Sequence, residues 1–468
     1  MRGITAWGSY LPFRRLDRAE IAAVAGKGGG RGTRTVASFD EDPTTMAVEA
    51  GRRALGGASV VVDTLLFGSV NPAYADKTNA TAVHSALRLS DSSGAFDLGF
   101  STRSAVAGLL LAASGTGTTM VAAADIRVGR AGSADEAAGG DAGTAIVIGN
   151  DVAESPVLAE IVGTASRTAE FIDRWRTPGE PFSKMWDDKF AQVTYTPLAV
   201  ESYDSALVAA GVGRPDVSSV AVSGPTARIA GAIANVLGAA KTLDDLSSSV
   251  GQCGAAQPAL LLAHLLESSS PGDVVALVSL ADGVDTIVLR ITDAIVAAAD
   301  RRGPTVAAQA ASGAPVRYGK FLAWRGLLEI DPPRRPEPQR VSATAAARSD
   351  AWKFGFVASV DPSTGDVAMP PARVSNDGER VDEMVEHPMS DAAGTIVTFT
   401  IDRVAYSPSP PIVFAVVDFD GGGRLPLELC DCDEDEVEIG ARVEMTFRRL
   451  YTVDGIPNYF WKARLARG

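Results

Sequence analysis

The turn at residues 100–104, Phe-Ser-Thr-Arg-Ser, is where the sequence most directly suggests chemistry. It separates a short apolar run, AFDLG, that predicts a buried strand from a longer one, AVAGLLLAAS, that predicts a buried helix. The turn carries hydroxyl side chains, that of Thr102 among them, as candidate nucleophiles. A hydroxyl is scarcely ionised at neutral pH and needs an adjacent base. None is evident in the sequence, so acyl transfer through Thr102 is not expected.

A second candidate nucleophile, Cys253, lies in the loop VGQCGAA. A cysteine attacks as its thiolate, and a lone cysteine is more commonly a small, inert, buried residue. Both interpretations of Cys253 stay open at this point. His84 and His264 fall in apolar helical patterns and are expected to be structural. Four further side chains that could serve as acid or base in an aldol reaction are Tyr74, Asp76, Tyr195 and Asp285.

Composition limits the class of protein. The chain has 468 residues, 46% of them hydrophobic and 21% charged, which predicts two or three globular domains. A formal net charge of −14 argues against binding to nucleic acid or to an anionic membrane. Three cysteines fit a reducing compartment. No signal peptide and no apolar run of about 18 residues is evident, so we expect a cytoplasmic protein.

The pattern along the chain changes twice. Residues 1–297 alternate short apolar runs with helix-like stretches, which predicts an α/β domain with buried sheets and helical layers. Residues 298–345 predict a linker that carries a docking helix, VRYGKFLAWRGLL. Residues 346–468 contain short β-rich runs between turns, which predict a small barrel or sandwich.

Several segments of residues 1–297 resemble the thiolase superfamily in order and spacing. They are FGSVNPAYADKTNATAV, AFDLGFSTRSAVAGL, RWRTPGEPFSKMWDDKFA, VAVSGPTARIAGAIANVLG and VGQCGAAQPALLLAHLLE. The resemblance is closest to 3-hydroxy-3-methylglutaryl-CoA (HMG-CoA) synthase of the archaeal type, with ketoacyl-ACP synthase III more distant. It implies a five-layered α-β-α-β-α domain and pairing through the central sheets, as a homodimer or as a heteromer with a thiolase.

Residues 318–468 resemble a second family, the acyl-CoA-associated OB-fold proteins, through YGKFLAWRGLLEIDPPRRPEP, AYSPSPPIVFAVVDFDGGGRLPLEL and MTFRRLYTVDGIPNYFWKAR. This resemblance implies a rubredoxin-like zinc ribbon at 346–385 and an all-β OB-fold domain at 386–468. The ribbon's two cysteine pairs fall on Asp361 and Thr364, then Ser375 and Gly378. We therefore expect no structural zinc.

The catalytic positions of the thiolase-like family are substituted in this chain. The family's reaction uses an acyl-carrying Cys, a His and an Asn that stabilise the oxyanion or assist proton transfer, and, in the synthase branch, a Glu acid or base. The resemblance places these positions at Thr102, Ser223, Gln252 and near Val70. Acyl-cysteine chemistry at this site is therefore not expected. Arg228 falls where the synthases have a Lys and implies a contact with a CoA phosphate.

Three hypotheses follow. The first is an enzyme that performs aldol or retro-aldol chemistry on an acyl-CoA without an acyl-cysteine. The second is a non-catalytic CoA-binding scaffold that bridges or channels to a partner thiolase. The third is a true condensing enzyme with Cys253 as a relocated nucleophile. In each case coenzyme A enters as part of the substrate, and no tightly bound cofactor is expected.

Overall fold

The structure is a computed structural model that describes residues 1–56, 60–238, 241–298, 303–331 and 333–467. The chain divides into two compact units. The first comprises Met1–Ala37, Met46–Thr81 and Leu89–Phe321. The second comprises Ser38–Thr45, Ala82–Arg88 and the chain from Leu322 onward. Among the described residues, no helix combines the length and apolar character needed to cross a bilayer.

The strands up to Pro315 are β1 (Arg2–Tyr10), β2 (Arg14–Asp17), β3 (Thr33–Val36), β4 (Thr64–Gly68), β5 (Gly94–Leu98), β6 (Thr119–Asp125), β7 (Ala142–Asn150), β8 (Ala159–Thr168), β9 (Arg174–Trp175), β10 (Lys184–Met185), β11 (Val217–Ser223), β12 (Val274–Leu280), β13 (Gly283–Ile291) and β14 (Ala314–Pro315). The helices up to Trp324 are α1 (Arg18–Ala25), α2 (Pro43–Leu55), α3 (Ala80–Ala86), α4 (Ser104–Ser114), α5 (Ala134–Ala138), α6 (Asp188–Ala210), α7 (Ala227–Leu237), α8 (Gln257–Glu267), α9 (Ala294–Ala298), α10 (Val306–Ala311) and α11 (Tyr318–Trp324).

Nine strands of the first unit form one sheet, in the order β11-β12-β13-β8-β1-β7-β6-β4-β5. The sheet has two halves, because β1 and β8 pair only through Gly3–Glu160 and Ile4–Ala159. Helix α8 contacts β1 and β7 of one half and β11 and β12 of the other, and it also packs on α4. Helices α6 and α7 pack on the half that consists of β11, β12, β13 and β8. The predicted α/β architecture, with helices between and outside two β-layers, is confirmed.

Local sequence explains where these elements start and stop. Strands β6 and β12 are buried along their whole length, which fits their continuous apolar runs. The prediction of a buried strand over AFDLG is wrong, because β5 lies at the edge of the sheet and none of its residues is buried. Helix α7 begins where the Thr226 hydroxyl accepts a hydrogen bond from the Ile229 amide at 3.2 Å. It ends at Gly238, whose φ of 71° is the left-handed conformation that glycine adopts without strain.

The second unit consists mainly of β-structure. Its later helices and strands are α12 (Ala343–Arg348), α13 (Asp350–Lys353), β15 (Val357–Val360), β16 (Val367–Ala368), β17 (Val385–Pro388), β18 (Gly394–Asp402), β19 (Ile412–Phe419), β20 (Arg424–Cys430), β21 (Arg442–Val453) and β22 (Ile456–Leu465). The last five strands close into a barrel in the order β18-β19-β20-β22-β21. The predicted small barrel is therefore confirmed.

Two turns of the second unit occupy the positions at which the resemblance implies a zinc ribbon. In the first, the Asp361 amide bonds to the Asp366 carbonyl, and in the second the Ser375 amide bonds to the Arg380 carbonyl. Arg380 Nε connects the turns, because it donates to Ser363 Oγ at 2.9 Å and lies 3.3 Å from Asp361 Oδ1. These side chains do not suit zinc, since the cysteine positions carry no sulfur and the carboxylate at one of them already pairs with a guanidinium.

The predicted domain boundary at residue 297 and the predicted boundaries at residues 345 and 385 stay predictions. The first unit continues to Phe321, and residues 299–302 and 332 of the predicted linker lie outside the described residues. The predicted docking helix forms as α11. Its Tyr318 hydroxyl donates to Glu136 Oε2 at 2.8 Å, and the Phe321 ring lies 5.0 Å from the Arg34 guanidinium.

Candidate functional site

A cavity of about 1060 Å³ in the first unit brings together the four positions where the resemblance places catalytic residues. Val70, Thr102, Ser223 and Gln252 all line it. They are far apart in the sequence and come from different elements. The structure therefore forms a pocket at the predicted site although each of the four residue types differs from the implied one.

The elements around the cavity explain how these side chains meet. Thr102 lies on the turn between β5 and α4, and Ser223 is the last residue of β11. Val70 follows β4, and Gln252 lies in the loop before α8. Strand ends and helix starts thus face one cavity, as expected for a pocket in an α/β sheet. The loop that carries Gln252 is bounded by Gly251 at φ 96° and Gly254 at φ 58°, which side-chain-bearing residues rarely adopt.

Asp125, at the end of β6, fixes two of these loops in place. Its carboxylate accepts hydrogen bonds from the Ser69 hydroxyl and the Val70 amide, each at 2.8 Å. It also accepts one from the Ala255 amide at 2.5 Å. Burial raises the pKa of Asp125, and these donors oppose that shift. The loop after β4 and the loop before α8 are therefore held by one buried carboxyl group.

The polar side chains of Thr102, Ser223 and Gln252 are available to a ligand. No hydrogen bond joins any of the three side chains to another residue within the described part of the chain. A hydroxyl or amide that borders a cavity without a protein partner must bond to water or to a bound molecule. Gln252 and Ser223 thus offer donors where the resemblance places the oxyanion-stabilising residues.

The sequence interpretation gave no role to Arg103, the residue next to Thr102. Its guanidinium donates to Asp285 at 2.7 and 3.0 Å and to the Asp282 carbonyl at 2.9 Å. Hydrogen bonding to Asp285 raises the pKa of Arg103. Ser101 Oγ lies 3.2 Å from Asp282 Oδ2. Asp285, a predicted acid or base, is therefore a buried partner of Arg103 that anchors the turn.

Tyr195 and Asp173 form an acid–base pair at the cavity. The Tyr195 hydroxyl donates to Asp173 Oδ2 at 2.8 Å, and both residues line the cavity. Burial, together with the nearby Asp173 carboxylate, raises the pKa of Tyr195 well above its usual range. The phenol therefore stays protonated at neutral pH. Of the four side chains suggested as acid or base, Tyr195 alone lines this cavity, whereas Tyr74 and Asp76 line a separate, smaller one.

Three arginines also line the cavity and were missed by the sequence interpretation. They are Arg127, which follows β6, and Arg174 and Arg176 in the segment RWR. Arg174 forms a two-point ion pair with Asp135, at 2.8 and 3.1 Å. Burial and the two neighbouring arginines lower the pKa of Arg127 to about 10. The signal available in the sequence was the RWR segment, which carries two cations close together.

Two predicted site residues lie elsewhere. Cys253 is 0% exposed, belongs to the apolar core, and is not among the residues that line the cavity. Burial raises the pKa of its thiol, which is the opposite of what a nucleophile requires. Arg228 lies on the first turn of α7 with its side chain 70% exposed, 3.8 Å from Asp188, a residue that lines the cavity. Its contact with a CoA phosphate stays a prediction.

Comparison with known proteins places the first unit among thiolase-like folds. The chain is 29% identical over 317 residues to an HMG-CoA synthase of Archaeoglobus fulgidus, covering 63% of this chain and 90% of that one. It is 25% identical over 348 residues to the synthase of Pyrobaculum neutrophilum, covering 70% and 98%.

Solved structures agree with this placement, and a family model matches part of the second unit. A structure of HMG-CoA synthase complexed with CoA superimposes with a TM-score of 0.59 at 16% identity, covering 68% of this chain and 89% of that chain. MvaS in complex with 3-hydroxy-3-methylglutaryl coenzyme A gives 0.59 at 18% identity, covering 73% and 94%. Residues 386–448 match the model of the ChsH2 C-terminal OB-fold domain. The expected fusion of a thiolase-like unit with an OB-fold domain is confirmed.

Proposed function

We propose that this HMG-CoA synthase-like protein of the thiolase superfamily binds an acyl-CoA in the cavity and acts on a carbon–carbon bond of the acyl group by aldol-type chemistry, without an acyl-cysteine. The main support for the proposal is that Thr102, Ser223 and Gln252 all line one cavity. Their side chains form no hydrogen bond with another described residue. Structural neighbours that hold CoA or HMG-CoA, as their names state, support acyl-CoA as the ligand class.

The proposed reaction uses the groups that line the cavity. Asp173 removes the proton from the β-hydroxyl of a 3-hydroxyacyl-CoA, and the bond between the α- and β-carbons breaks. The β-carbon leaves as a carbonyl compound, and the electron pair remains on the thioester as an enolate. Ser223 and Gln252 donate hydrogen bonds to the enolate oxygen. The proton held by Asp173 then returns to the α-carbon, so that protons and electrons balance.

Tyr195 supports this role of Asp173. Its hydroxyl stays protonated and donates to one carboxylate oxygen, which orients the carboxylate. The Arg174 backbone amide donates to the other oxygen of Asp173 at 2.6 Å. A base held by two hydrogen bonds in a partly closed cavity has the fixed geometry that proton transfer needs.

The second candidate function is a CoA-binding scaffold without catalysis, favoured by the replacement of all four catalytic residue types. The two candidate functions differ in whether the protein converts a bound acyl-CoA to products. The test incubates the full chain with a series of 3-hydroxyacyl-CoA esters and follows acyl-CoA and carbonyl products by mass spectrometry. We expect release of a shortened acyl-CoA, and a fall in kcat of about a hundredfold in Asp173→Asn.

Asp188→Asn serves as the matched control, because Asp188 lines the same cavity but faces Arg228. It should retain the wild-type rate. Cleavage that persists unchanged in Asp173→Asn would contradict the assigned base. If the protein binds acyl-CoA esters but cleaves none of them, its function is that of the non-catalytic scaffold.

The assembly of the protein also stays a proposal. Strand β5 is the outermost strand of the nine-stranded sheet, and Phe96 on it is 57% exposed. An exposed edge strand with an aromatic side chain favours pairing with a second copy. We expect a homodimer that Phe96→Asp converts to monomer in light scattering; a wild-type monomer would contradict this. A partner thiolase is the alternative protein to pair with this edge strand.

A further inference from the structure

Lys353, the last residue of α13, places its side-chain amine against β22 of the barrel. The amine donates a hydrogen bond to the Asn458 side-chain oxygen and another, at 2.8 Å, to the Tyr459 carbonyl oxygen. Both acceptors are neutral. Lys353 is partly exposed, so a molecule in solution can reach this part of the second unit.

No anion compensates the charge that Lys353 carries when it is protonated. In the described part of the chain, no carboxylate lies within ion-pair distance of its nitrogen. The centroid of the Phe354 ring lies 5.8 Å from that nitrogen. A phenyl ring attracts an ammonium group more weakly than a carboxylate does. The surroundings of Lys353 therefore favour the neutral amine over the charged form.

The hydrogen bonds of Lys353 also fit a neutral amine. An ammonium group has three N–H donors, whereas a neutral amine has two donors and a lone pair. Asn458 and Tyr459 accept two hydrogen bonds, which leaves the lone pair of the neutral amine free. Burial lowers the pKa of Lys353 to about 8, in agreement with this geometry. Part of the protein thus carries Lys353 as a free nucleophile at neutral pH.

Neighbouring charges do not produce this state of Lys353. Helix α13 packs on α12, β15 and β22. The other titratable and charged side chains of these four elements are Arg348, Asp350, Tyr459, Lys462 and Arg464. None of them contributes to the lowered pKa of Lys353, because burial is its only cause. The amine loses its proton readily because of where the fold places it.

We propose that Lys353 is an acylation site, at which the side-chain nitrogen takes the acyl group of an acyl-CoA thioester and forms an amide. The nitrogen attacks the thioester carbonyl carbon, and the carbon–sulfur bond breaks. CoA leaves as the thiolate and takes up the proton that the nitrogen loses, so no further reactant is needed. The amide keeps one N–H, and one of the two acceptors loses its donor. This inference goes beyond the proposed function, because the site lies in the second unit.

The test incubates the full chain with acetyl-CoA at about pH 7.5 and follows the acetylation of each lysine by peptide mass spectrometry. Lys189, which is exposed, is the internal comparison. A lysine with a pKa of about 8 then has about a hundredfold more free amine than one that titrates near about 10.4. A less basic amine is also a weaker nucleophile, as a less basic thiolate is. We expect Lys353 to react about tenfold faster than Lys189.

The pH dependence provides a second measurement. The rate at Lys353 should rise with pH up to about 8 and then level off, because the amine is then largely unprotonated. Free Nα-acetyl-lysine, whose side chain is in water, should gain rate up to about pH 10. A rate at Lys353 that follows the free amino acid, or that does not exceed the rate at Lys189, would overturn the proposal.

Two substitutions at Asn458 test the geometry. Asn458→Asp keeps the shape of the side chain and adds a carboxylate beside the amine, which favours the ammonium form. Acetylation of Lys353 should fall about tenfold in this variant. Asn458→Leu, the matched control, adds no charge and should keep the wild-type rate. Equal rates in the two folded variants would overturn the proposal.

Thr102→Trp separates this proposal from the proposed function, because the substitution fills the cavity of the first unit. Lys353 should be acetylated at the wild-type rate in this variant. Loss of the modification would overturn direct transfer from the free thioester to Lys353. Acetylation of Lys353 by a protein that cleaves no 3-hydroxyacyl-CoA would support this inference and leave the proposed aldol reaction contradicted.

Discussion

Arg103 and Asp285 form a two-point ion pair, with nitrogen–oxygen distances of 2.7 and 3.0 Å, that ties the turn carrying Thr102 to the start of β13. Asp285 is 2% exposed, and the Arg103 side chain is 20% exposed. The pair joins the two halves of the first unit, since α4 follows the turn and packs on β4, β6 and β7. One side of the cavity is therefore positioned by residues that need not touch the ligand.

Breaking this pair is expected to weaken ligand binding without abolishing folding. Arg103→Met leaves Asp285 buried without its guanidinium partner, so the turn at Thr102 loosens. We expect acyl-CoA affinity to fall about tenfold, a loss of about 1.4 kcal/mol. Calorimetric titration of Arg103→Met, Asp285→Asn and the double variant checks this. Because the residues act as one pair, the double variant should lose little more than either single one. Additive losses would contradict the positioning role.

Cys253 is expected to be chemically inert in the folded protein. Its thiol is fully buried and its pKa is raised, so little thiolate forms at neutral pH. Cys432 provides an internal comparison, because it is partly exposed. Mass spectrometry after iodoacetamide treatment should find Cys432 modified and Cys253 modified only after denaturation. A stable acyl adduct on native Cys253 after exposure to acetyl-CoA would revive the hypothesis of a relocated nucleophile.

A buried ion network stabilises the second unit. Lys462, on β22, lies 3.0 Å from Asp40 and 2.6 Å from Glu428. Lys462→Met removes the lysine from Glu428 and leaves Asp40 with Arg448 Nη1, 3.8 Å away, as its cation, so the unit should lose about 3 kcal/mol of unfolding free energy. Urea unfolding measures the loss. Arg424→Met is the matched control, because its partner Asp418 and Arg424 itself are exposed, and the expected change is below about 0.5 kcal/mol. Equal effects of the two substitutions would contradict the account.

Lys353 should make stability depend on pH. Burial lowers its pKa to about 8, whereas a lysine in an unfolded chain titrates near about 10.4. Between these two pKa values the unfolded state binds more protons than the folded state, so the free energy of unfolding rises with pH over this window. Below a pH of about 8 the cost of burying the charged lysine is fully present. Lys353→Met should lose this part of the slope when urea unfolding is repeated from pH 7 to 10. An unchanged slope would contradict the assignment.

The sequence predicted the elements whose burial is continuous or strongly periodic. Strands such as β6 and β12 and the helix α7 formed on the apolar runs of the sequence. The positions of Thr102, Ser223 and Gln252 followed from the order of the motifs, because the motifs fix which strand or helix end carries each residue. These parts of the fold are determined by the local pattern of residues along the chain.

The charge partners could not be predicted in the same way. Arg103 meets Asp285 and Tyr195 meets Asp173 only because separate strands and helices approach in three dimensions. A sequence gives no distance between such residues. The burial of Cys253 is a similar case, since its loop borders the cavity while its side chain points into the core. Long-range packing decides these contacts.

The most direct test of the central claim is calorimetric titration of the full chain with CoA, acetyl-CoA and a longer acyl-CoA, using wild type and Thr102→Trp. Thr102 lies on a partly exposed turn at the cavity, so a large ring there should fill the pocket without unfolding the protein. Ser114→Trp, at the exposed far end of α4, is the control. We expect micromolar binding to wild type and to Ser114→Trp, and loss of that binding in Thr102→Trp. Absence of binding to folded wild type, or unchanged binding by Thr102→Trp, would contradict an acyl-CoA site in this cavity.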